Sequence, residues 1–335
     1  MQRGRRQPNR RVALGRRRMS DTLLQAFPCL RRDQSLARYT AARLGGPADY
    51  LYIAKDPAYT EAKRLLSAAW ALELPVTVIG GGANILVADA GIRGLVIVNR
   101  AARIEPVGTR VLTAAGTSLI HLARACHEYA LTGMEWAIAV PGTVGGAVVN
   151  NAGAHGGDIA SNLLRARIFA PGGTNWLAAE ELDYAYRHSL LKARVDRRFF
   201  VLAAELALQS ADGDEVGAKM ARNNAYRRRT QPPGASLGSI FKNPPGDFAG
   251  RLIEAAGLKG QRIGGVQVSP RHANFFVNLG GAAQARDYRR LILLVQERVK
   301  RATGITLELE VQLLGDWQEK DALDNLRYCN EKCKL

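Results

Sequence analysis

Histidine and cysteine are scarce in this chain, with five and four copies in 335 residues. The cysteines are scattered rather than regularly spaced, so no disulfide framework is indicated and a reducing, cytoplasmic location is expected. No group of histidine, cysteine and carboxylate residues has the spacing of metal ligands, and we predict no metal site. Long apolar runs are also absent, which argues against a membrane-spanning helix. With 47% hydrophobic and 23% charged residues, the chain has the composition of a globular protein of two or three domains.

Acidic residues are missing from the first eighteen positions, which hold eight of the arginines behind the net charge of +17. Met1–Arg18 has no apolar core, so it is not a secretory signal. We interpret residues 1–20 as a disordered basic leader, or as sequence upstream of a true start at Met19. Charge alone suggests a nucleic-acid-binding protein as an alternative. Such a protein needs interleaved aromatics or a basic recognition helix, and aromatics make up only 7% of this chain.

Glycine, by contrast, is plentiful, and it is concentrated in two loops that lie about sixty residues apart. The loops are Val78–Val87 and Ala139–Gly157, and each is joined directly to apolar, strand-like residues. Neither is a G-x-G-x-x-G fingerprint or a P-loop. Glycines let backbone N–H groups approach an anion closely. Two such loops in one chain indicate one long ligand with a pyrophosphate in its middle.

The pattern of apolar residues predicts an α+β fold of two units. The first unit runs over residues 36–210, and the turn Asp212-Gly213-Asp214 marks its end. The second α+β unit spans residues 212–314. Residues 316–335 form a polar tail. Its cysteines, Cys329 and Cys333, have no second ligand pair, so we predict a solvated terminal helix or a frayed end.

Several local features predict individual elements. Asp56 is a predicted N-cap with Pro57 at the first helical position. Ile305–Leu313 alternates apolar and polar residues, which predicts a regular strand. The other predictions are a buried strand at Pro75–Ile79, a loop at Thr230–Gly238, and helices at Glu215–Arg229, Phe248–Ala256 and Ala282–Thr303.

The two Gly loops resemble the FAD-binding loops of the UDP-N-acetylenolpyruvoylglucosamine reductases, flavoenzymes of peptidoglycan precursor synthesis. Other segments resemble this family's motifs and follow in the family's order. They are Tyr186–Lys192, Gly238–Pro244, Leu252–Gly260, Gly264–Gly265, Val268–Ser269, His272–Phe275 and Leu307–Val311. One such motif is a weak signal, whereas the ordered set covers roughly Tyr39 to Gly315 and is a strong one.

The resemblance implies an FAD-binding domain of the vanillyl-alcohol-oxidase/PCMH type, followed by a smaller α+β substrate-binding domain. It also implies FAD as cofactor and NADPH as the source of electrons. The basic excess outside the leader suits a cofactor and a substrate that both carry a pyrophosphate. The residues that the resemblance places against FAD are Gly80, Gly81, Gly82, Asn84, Ile85, Pro141, Gly142, Thr143, Gly145, Gly146 and Gly153.

The implied reaction is the reduction of UDP-N-acetylglucosamine enolpyruvate to UDP-N-acetylmuramate. Hydride from the reduced flavin adds to the enolpyruvyl methylene, and negative charge gathers on the adjacent carboxylate. By resemblance Arg187 is a catalytic residue, and its forked guanidinium suits that carboxylate. Ser239 matches the family's proton donor, with Lys242 as a cation that could stabilise its conjugate base. Glu310 matches the third catalytic residue, and Glu308 is the alternative on the same face of the strand.

The remaining implications concern substrate contacts and the form of the enzyme. The predicted substrate contacts are Tyr186, Lys242, Asn243 and Gln267. The stretch from Tyr186 to Ser239 is too short for the family's tyrosine-bearing insertion, so we predict the short form. We expect a monomer that binds a nucleotide sugar and no nucleic acid.

The sequence departs from the family's pattern at three positions. Leu309 stands where the family has Pro, Gln312 where it has Arg, and Ala83 where it has Ser. An inactive homologue therefore stays an alternative. Another FAD-dependent oxidase or dehydrogenase on the same cofactor fold is a second one, because the Gly loops alone permit it.

Overall fold

The computed structural model describes residues 23–317, so the predicted leader and the Cys329/Cys333 tail lie outside the described residues. The strands form three sheets of four or five strands and three two-stranded pairs. None of the helices within residues 23–317 combines the length and the apolar character that a bilayer span requires.

The bounds of the elements fall into two groups along the chain. Up to residue 210 the elements are β1 (Arg31–Ser35), β2 (Pro47–Ala54), α1 (Thr60–Ala71), β3 (Val76–Ile79), β4 (Ile85–Val87), β5 (Ile92–Asn99), β6 (Ile104–Val107), β7 (Arg110–Ala114), α2 (Leu119–Glu128), β8 (Leu131–Thr132), α3 (Val144–Asn150), β9 (Gly153–Ala154), β10 (Gly157–Asp158), β11 (Leu163–Ala170), β12 (Gly173–Ala178), α4 (Leu190–Ala193), β13 (Phe200–Ala207) and β14 (Gln209–Ser210). From residue 213 onward they are α5 (Gly213–Thr230), β15 (Ala235–Ser239), α6 (Ala249–Ala255), β16 (Arg262–Ile263), β17 (Val266–Val268), β18 (Phe275–Asn278), α7 (Ala285–Thr303) and β19 (Gln312–Leu314).

The first sheet has the strand order β1-β2-β5-β3 and is covered by helix α1. Strands β2, β5 and β3 run parallel. Parallel strands of one sheet need a crossover connection, and α1 provides it between β2 and β3, which lie on either side of β5. The predicted apolar stripe of α1 is buried, with Ala62, Leu65, Leu66 and Ala69 at most 1% exposed.

Helix α1 begins later than the sequence predicts, at Thr60 rather than Pro57. The Asp56 carboxylate accepts hydrogen bonds from the backbone N–H groups of Ala58 at 2.9 Å and Thr60 at 3.2 Å. Asp56 therefore closes a turn before the helix and is not its N-cap residue. The N-cap is Tyr59, in the left-handed region at φ 55°.

The second sheet is antiparallel, in the order β12-β11-β13-β7-β6. One face packs against α2 and α3 in a shared apolar core. Helix α5 adds its two buried side chains, Val216 and Met220, to this same core. The sequence placed α5 in the second unit, but its apolar contacts join it to the first.

The third sheet, β15-β18-β17-β16, is antiparallel and shares an apolar core with helices α6 and α7. After α7 the chain returns to the first unit, where β19 pairs in parallel with β4 from Gln312 opposite Ile85. Leu86 of β4 is fully buried in the core of the third sheet. The end of the first Gly loop and the closing strand of the chain are therefore neighbours.

Two predicted elements near the C-terminus differ from the structure. The regular part of the closing strand is only Gln312–Leu314, with an isolated bridge between Phe241 and Leu309 before it. The predicted alternation is kept only in part. Leu307 and Val311 are buried, whereas Leu309 and Leu313 are half-buried and the Glu310 side chain on the other face is only 13% exposed. The predicted loop Thr230–Gly238 is wrong over Ala235–Gly238, because these residues belong to β15, which pairs with β18.

Strand β3 is less buried than predicted. Val78 is 41% exposed, whereas Ile79 is buried. Val78 lines a large cavity rather than the core, and the exposure results from that position.

Candidate active site

A cavity of about 770 Å³ lies between the two Gly loops and the C-terminal elements. Its volume falls within the range of roughly 300–1,000 Å³ that is usual for ligand sites. All eleven residues predicted to contact the cofactor line it, as do Arg187, Ser239 and Glu310. The tertiary structure thus brings the predicted site residues, which are spread along the sequence from Gly80 to Glu310, to the wall of one cavity.

The two Gly loops touch each other at their glycines. A Cβ added to Gly81 would lie 2.6 Å from Gly142 Cα, and one added to Gly80 would lie 2.3 Å from Thr143 Oγ1. Any side chain at Gly81 would therefore collide with backbone. The sequence indicated that glycine there leaves room for a phosphate. The structure gives a different reason, since the room is taken by the second loop.

The cavity offers backbone donors of the kind that a pyrophosphate needs. Among the described residues, the backbone N–H groups of Gly81, Gly82 and Ala83 donate no hydrogen bond to another part of the chain. Gly146, on helix α3, faces open space, because a Cβ there would meet only Thr143 Oγ1, at 3.7 Å. Free N–H groups in a glycine-lined wall fit a dinucleotide cofactor.

Arg187 and Glu310 form an ion pair on the cavity wall, with Arg187 Nε 2.7 Å from Glu310 Oε1. The terminal nitrogens of Arg187 donate to the carbonyl oxygens of Asn151 at 3.3 Å and Gly153 at 3.1 Å. Both side chains are mostly buried, at 21% and 13% exposure. The second Gly loop therefore holds the guanidinium in position on the cavity wall.

The backbone at Arg187 is strained. Its φ of 55° lies in the left-handed region, which costs a residue with a side chain about 1–2 kcal/mol. The turn is held by the backbone pairing of Ala185 with His188 and by Lys192, whose Nζ donates to the Arg187 carbonyl at 2.9 Å. Strain kept by surrounding bonds is common at functional sites.

Burial and the neighbouring cations have opposite effects on the pKa of the Glu310 carboxyl group. Burial raises the pKa of the Glu310 carboxyl, while Arg187, Lys192 and Lys242 act to lower it. Burial and the neighbouring Lys242 lower the pKa of the Lys192 ammonium. A titratable group whose pKa is perturbed by burial and by specific charges inside a cavity is a candidate for a functional role.

Ser239 lines the cavity at the end of β15. The turn after it is fixed by Asn274, which is 3% exposed. The Asn274 side chain accepts from Phe241 N at 3.0 Å and donates to Phe241 O at 2.8 Å. The sequence included Asn274 in a family motif but gave it no role, and a buried asparagine is not detectable from local pattern.

The four predicted substrate contacts do not line the cavity. Tyr186 is 59% exposed. Asn243 accepts from the N–H of Ala249 at the start of α6, and Gln267 donates to the carbonyl of Gly260. Lys242 reaches Glu308 at 3.2 Å instead of Ser239. Their roles in substrate binding stay predictions.

The cavity is also lined by three basic side chains that the sequence did not assign to it, namely Lys192, Arg197 and Arg227. Burial lowers the pKa of Arg227 as it does that of Lys192. The only signal for Lys192 was its place in the Tyr186–Lys192 motif. Within residues 23–317, no group of three or more potential metal ligands occurs.

Comparison with known proteins identifies first the cofactor domain. The family model described as "FAD binding domain" matches residues 57–176. This range contains both Gly loops and ends within β12. The model described as "UDP-N-acetylenolpyruvoylglucosamine reductase, C-terminal domain" matches residues 230–314.

Relatives match over most of the chain. The UDP-N-acetylenolpyruvoylglucosamine reductase of Lactococcus lactis subsp. cremoris is 42% identical over 304 residues, which covers 89% of this chain and 99% of the relative. The protein named UDP-N-acetylenolpyruvoylglucosamine reductase 2 of Symbiobacterium thermophilum is 45% identical over 292 residues, covering 85% and 92%. The crystal structure of the Thermus caldophilus reductase superposes with a TM-score of 0.73 at 35% identity, covering 85% of this chain and 99% of the other.

The chain belongs to the UDP-N-acetylenolpyruvoylglucosamine reductase family. The predicted family, the α+β class and the FAD-binding domain are confirmed.

Proposed function

We propose that this protein reduces UDP-N-acetylglucosamine enolpyruvate to UDP-N-acetylmuramate in peptidoglycan precursor synthesis, with FAD as cofactor and NADPH as electron source. The observation that carries the proposal is the Arg187–Glu310 pair on the wall of a cavity that also holds Ser239 and both Gly loops. The backbone of those loops would hold FAD, which when bound would supply the hydride. Family membership supports the same reaction.

Arg187 has the position and the charge to receive the enolpyruvyl carboxylate. Its guanidinium donates to two carbonyl oxygens, and its planar fork of donors suits a carboxylate. As negative charge gathers on the carboxylate during reduction, a fixed cation stabilises it without reorganisation. Glu310 orients Arg187 and offers a carboxyl group whose pKa is raised by burial, suited to sharing a proton with the enolic oxygen.

Ser239 is the proposed proton donor to the second carbon. A serine hydroxyl is a weak acid, so its conjugate base needs a nearby cation. The sequence suggested Lys242, but Lys242 is paired with Glu308 on the surface. Lys192, which lines the same cavity as Ser239, takes that role in our proposal.

The domain division, location and assembly belong to the same proposal. We propose cofactor binding by residues 36–210 together with α5, because α5 packs in the core of that unit. The substrate-binding domain then begins near residue 230, where the C-terminal family match starts. We propose a cytoplasmic location, since the proposed substrate is a nucleotide sugar. For the assembly we propose the monomer that the sequence led us to expect.

Separating the two half-reactions tests the proposal. The purified protein should show a flavin spectrum, and Ser239→Ala should keep rapid flavin reduction by NADPH. Reoxidation by the enolpyruvyl substrate should slow by on the order of 10²–10⁴-fold, the usual cost of losing a general acid. Ser236→Ala is the matched control, because Ser236 lies on the same strand but not on the cavity wall.

Two results would contradict the proposal. If the purified protein is colourless and does not bind added FAD, the proposed function is wrong. Reoxidation at the parent rate in Ser239→Ala leaves the reaction intact but removes Ser239 as proton donor.

A further inference from the structure

We infer that Asn84 is a positioning residue for Glu310, because its side-chain amide ties the first Gly loop to the segment that carries the carboxylate. The inference rests on the proposed function. It gives this asparagine a task in the reaction of the enolpyruvyl substrate, in place of the flavin contact that the sequence predicts, because its amide N–H is engaged by the Glu310 carbonyl.

The side chain of Asn84 makes a hydrogen bond that a backbone N–H would make in a regular parallel ladder. Asn84 Nδ2 donates to the carbonyl oxygen of Glu310 at 3.0 Å, across 226 positions of sequence. The backbone N–H of Gln312 donates to the carbonyl oxygen of Asn84, also at 3.0 Å. Regular pairing of β4 with β19 begins only at Ile85 and Gln312. The amide therefore extends the parallel ladder by one bond at the point where the Gly loop turns away.

Glu310 is held from its other side by the segment that carries Ser239. The backbone N–H of Glu310 donates to the carbonyl oxygen of Ile240 at 2.8 Å. The main chain at Glu310 is thus hydrogen-bonded on one side to Asn84 of the first Gly loop and on the other to Ile240, the residue after Ser239. Removing the Asn84 amide leaves the Glu310 carbonyl without this partner, and the 2.7 Å contact of Glu310 with Arg187 then depends on a looser backbone. A misplacement of about 1 Å at a catalytic group can cost on the order of 10²-fold in rate.

The surroundings of Glu310 provide a signature that general destabilisation would not produce. Burial raises the pKa of its carboxyl group, while the contact with Arg187 and the charges of Lys192 and Lys242 lower it. If the carboxylate drifts from Arg187 and stays buried, the lowering influence weakens and the pKa rises. The acidic limb of the pH–rate profile should then move to higher pH.

Two variants of the full-length, FAD-loaded protein test the inference. Asn84→Ala removes the amide, and Asn84→Asp keeps the shape and an oxygen acceptor but loses the N–H donor. In both we expect FAD occupancy and flavin reduction by NADPH to match the parent. Reoxidation by UDP-N-acetylglucosamine enolpyruvate should slow by on the order of 10–100-fold in both. The acidic limb should move upward in Asn84→Ala, which introduces no charge of its own beside Glu310. Asn175→Ala, at an exposed position of β12, is the matched control and should behave as the parent.

The outcomes separate this inference from the proposed function. Loss of FAD from both variants, or equal slowing of both half-reactions with an unchanged pH profile, would overturn the positioning role in favour of a flavin contact. Parent-like reoxidation in both variants would overturn it as well. If the parent protein itself is not reoxidised by the enolpyruvyl substrate, the proposed function fails and the inference fails with it.

Discussion

Glu308 and Glu310 stand two positions apart in the closing segment, yet they meet different cations. The Glu308 side chain is 75% exposed and reaches Lys242 Nζ at 3.2 Å. A surface pair of this kind contributes little free energy. The Glu310 side chain is 13% exposed and contacts Arg187 on the cavity wall. Alternation places both residues on one face of the chain, and the elements packed around them decide which one can do chemistry.

Exchanging each glutamate for glutamine tests that difference. Glu310→Gln should slow reoxidation by the enolpyruvyl substrate by on the order of 10²-fold or more, because it removes the carboxyl that pairs with Arg187. Glu308→Gln should stay close to the parent rate. Stopped-flow absorbance of the flavin measures both. If Glu308→Gln proves the more damaging change, the assignment of the catalytic carboxylate must shift by two residues.

At the scale of elements, the two Gly loops act as one wall because their backbones are in contact. A Cβ on Gly81 would meet Gly142 Cα at 2.6 Å, inside the closest approach of real side chains. A Cβ on Gly146 would have ordinary contact distances and would sit in a helix. The same chemical change therefore has different consequences at these two glycines.

A trio of alanine substitutions separates loop packing from cofactor contact. Gly81→Ala should destabilise the apoprotein by about 1–3 kcal/mol, as overpacking does, and should lose FAD. Gly146→Ala should keep the melting temperature of the apoprotein but weaken FAD binding, because its new methyl group projects where the cofactor is proposed to lie. Gly213→Ala is the control, since a Cβ there meets nothing within 4 Å. Unchanged FAD affinity in Gly146→Ala would move the cofactor away from helix α3.

At the scale of the whole molecule, the first unit supplies a cap to a helix of the second. The Asp89 carboxylate accepts from the backbone N–H groups of Ala285 at 2.8 Å and Arg286 at 2.9 Å, which open helix α7. These are donors that a helix cannot satisfy internally. The negative charge also opposes the positive end of the helix dipole. One side chain thus joins the turn after β4 to the helix that covers the third sheet.

Removing this cap should loosen the connection between the units. Asp89→Ala should lower the free energy of unfolding by about 0.5–2 kcal/mol, seen as a lower melting temperature. Asp89→Asn should lose less, because the amide oxygen still accepts but the charge is gone. Equal melting temperatures for Asp89→Ala and the parent would show that the cap contributes no measurable stability.

Part of the candidate site could be predicted from the sequence, and part could not. The Gly loops, Arg187, Ser239 and Glu310 carry motifs that resemble a family, and the structure places all of them on one cavity. Lys192, Arg197 and Arg227 were not assigned to it. The chain has 47 lysines and arginines, and no local pattern distinguishes a cavity cation from a solvated one. The start of α1 was misplaced by three residues, because Asp56 uses its carboxylate in a turn before the helix.

The sequence by itself determined the local elements and the family, because both depend on residues that are neighbours along the chain. The apolar stripe of α1, the alternation around Glu310 and the ordered motifs are of this kind. Only the tertiary structure decided that the Asn84 amide serves Glu310, that Asp89 caps α7 and that α5 packs with the first unit. These contacts join positions about 200 residues apart or depend on which core accepts an apolar face. Their partners are set by the path of the whole chain, and such a path leaves no periodic trace in the residues on either side of the contact.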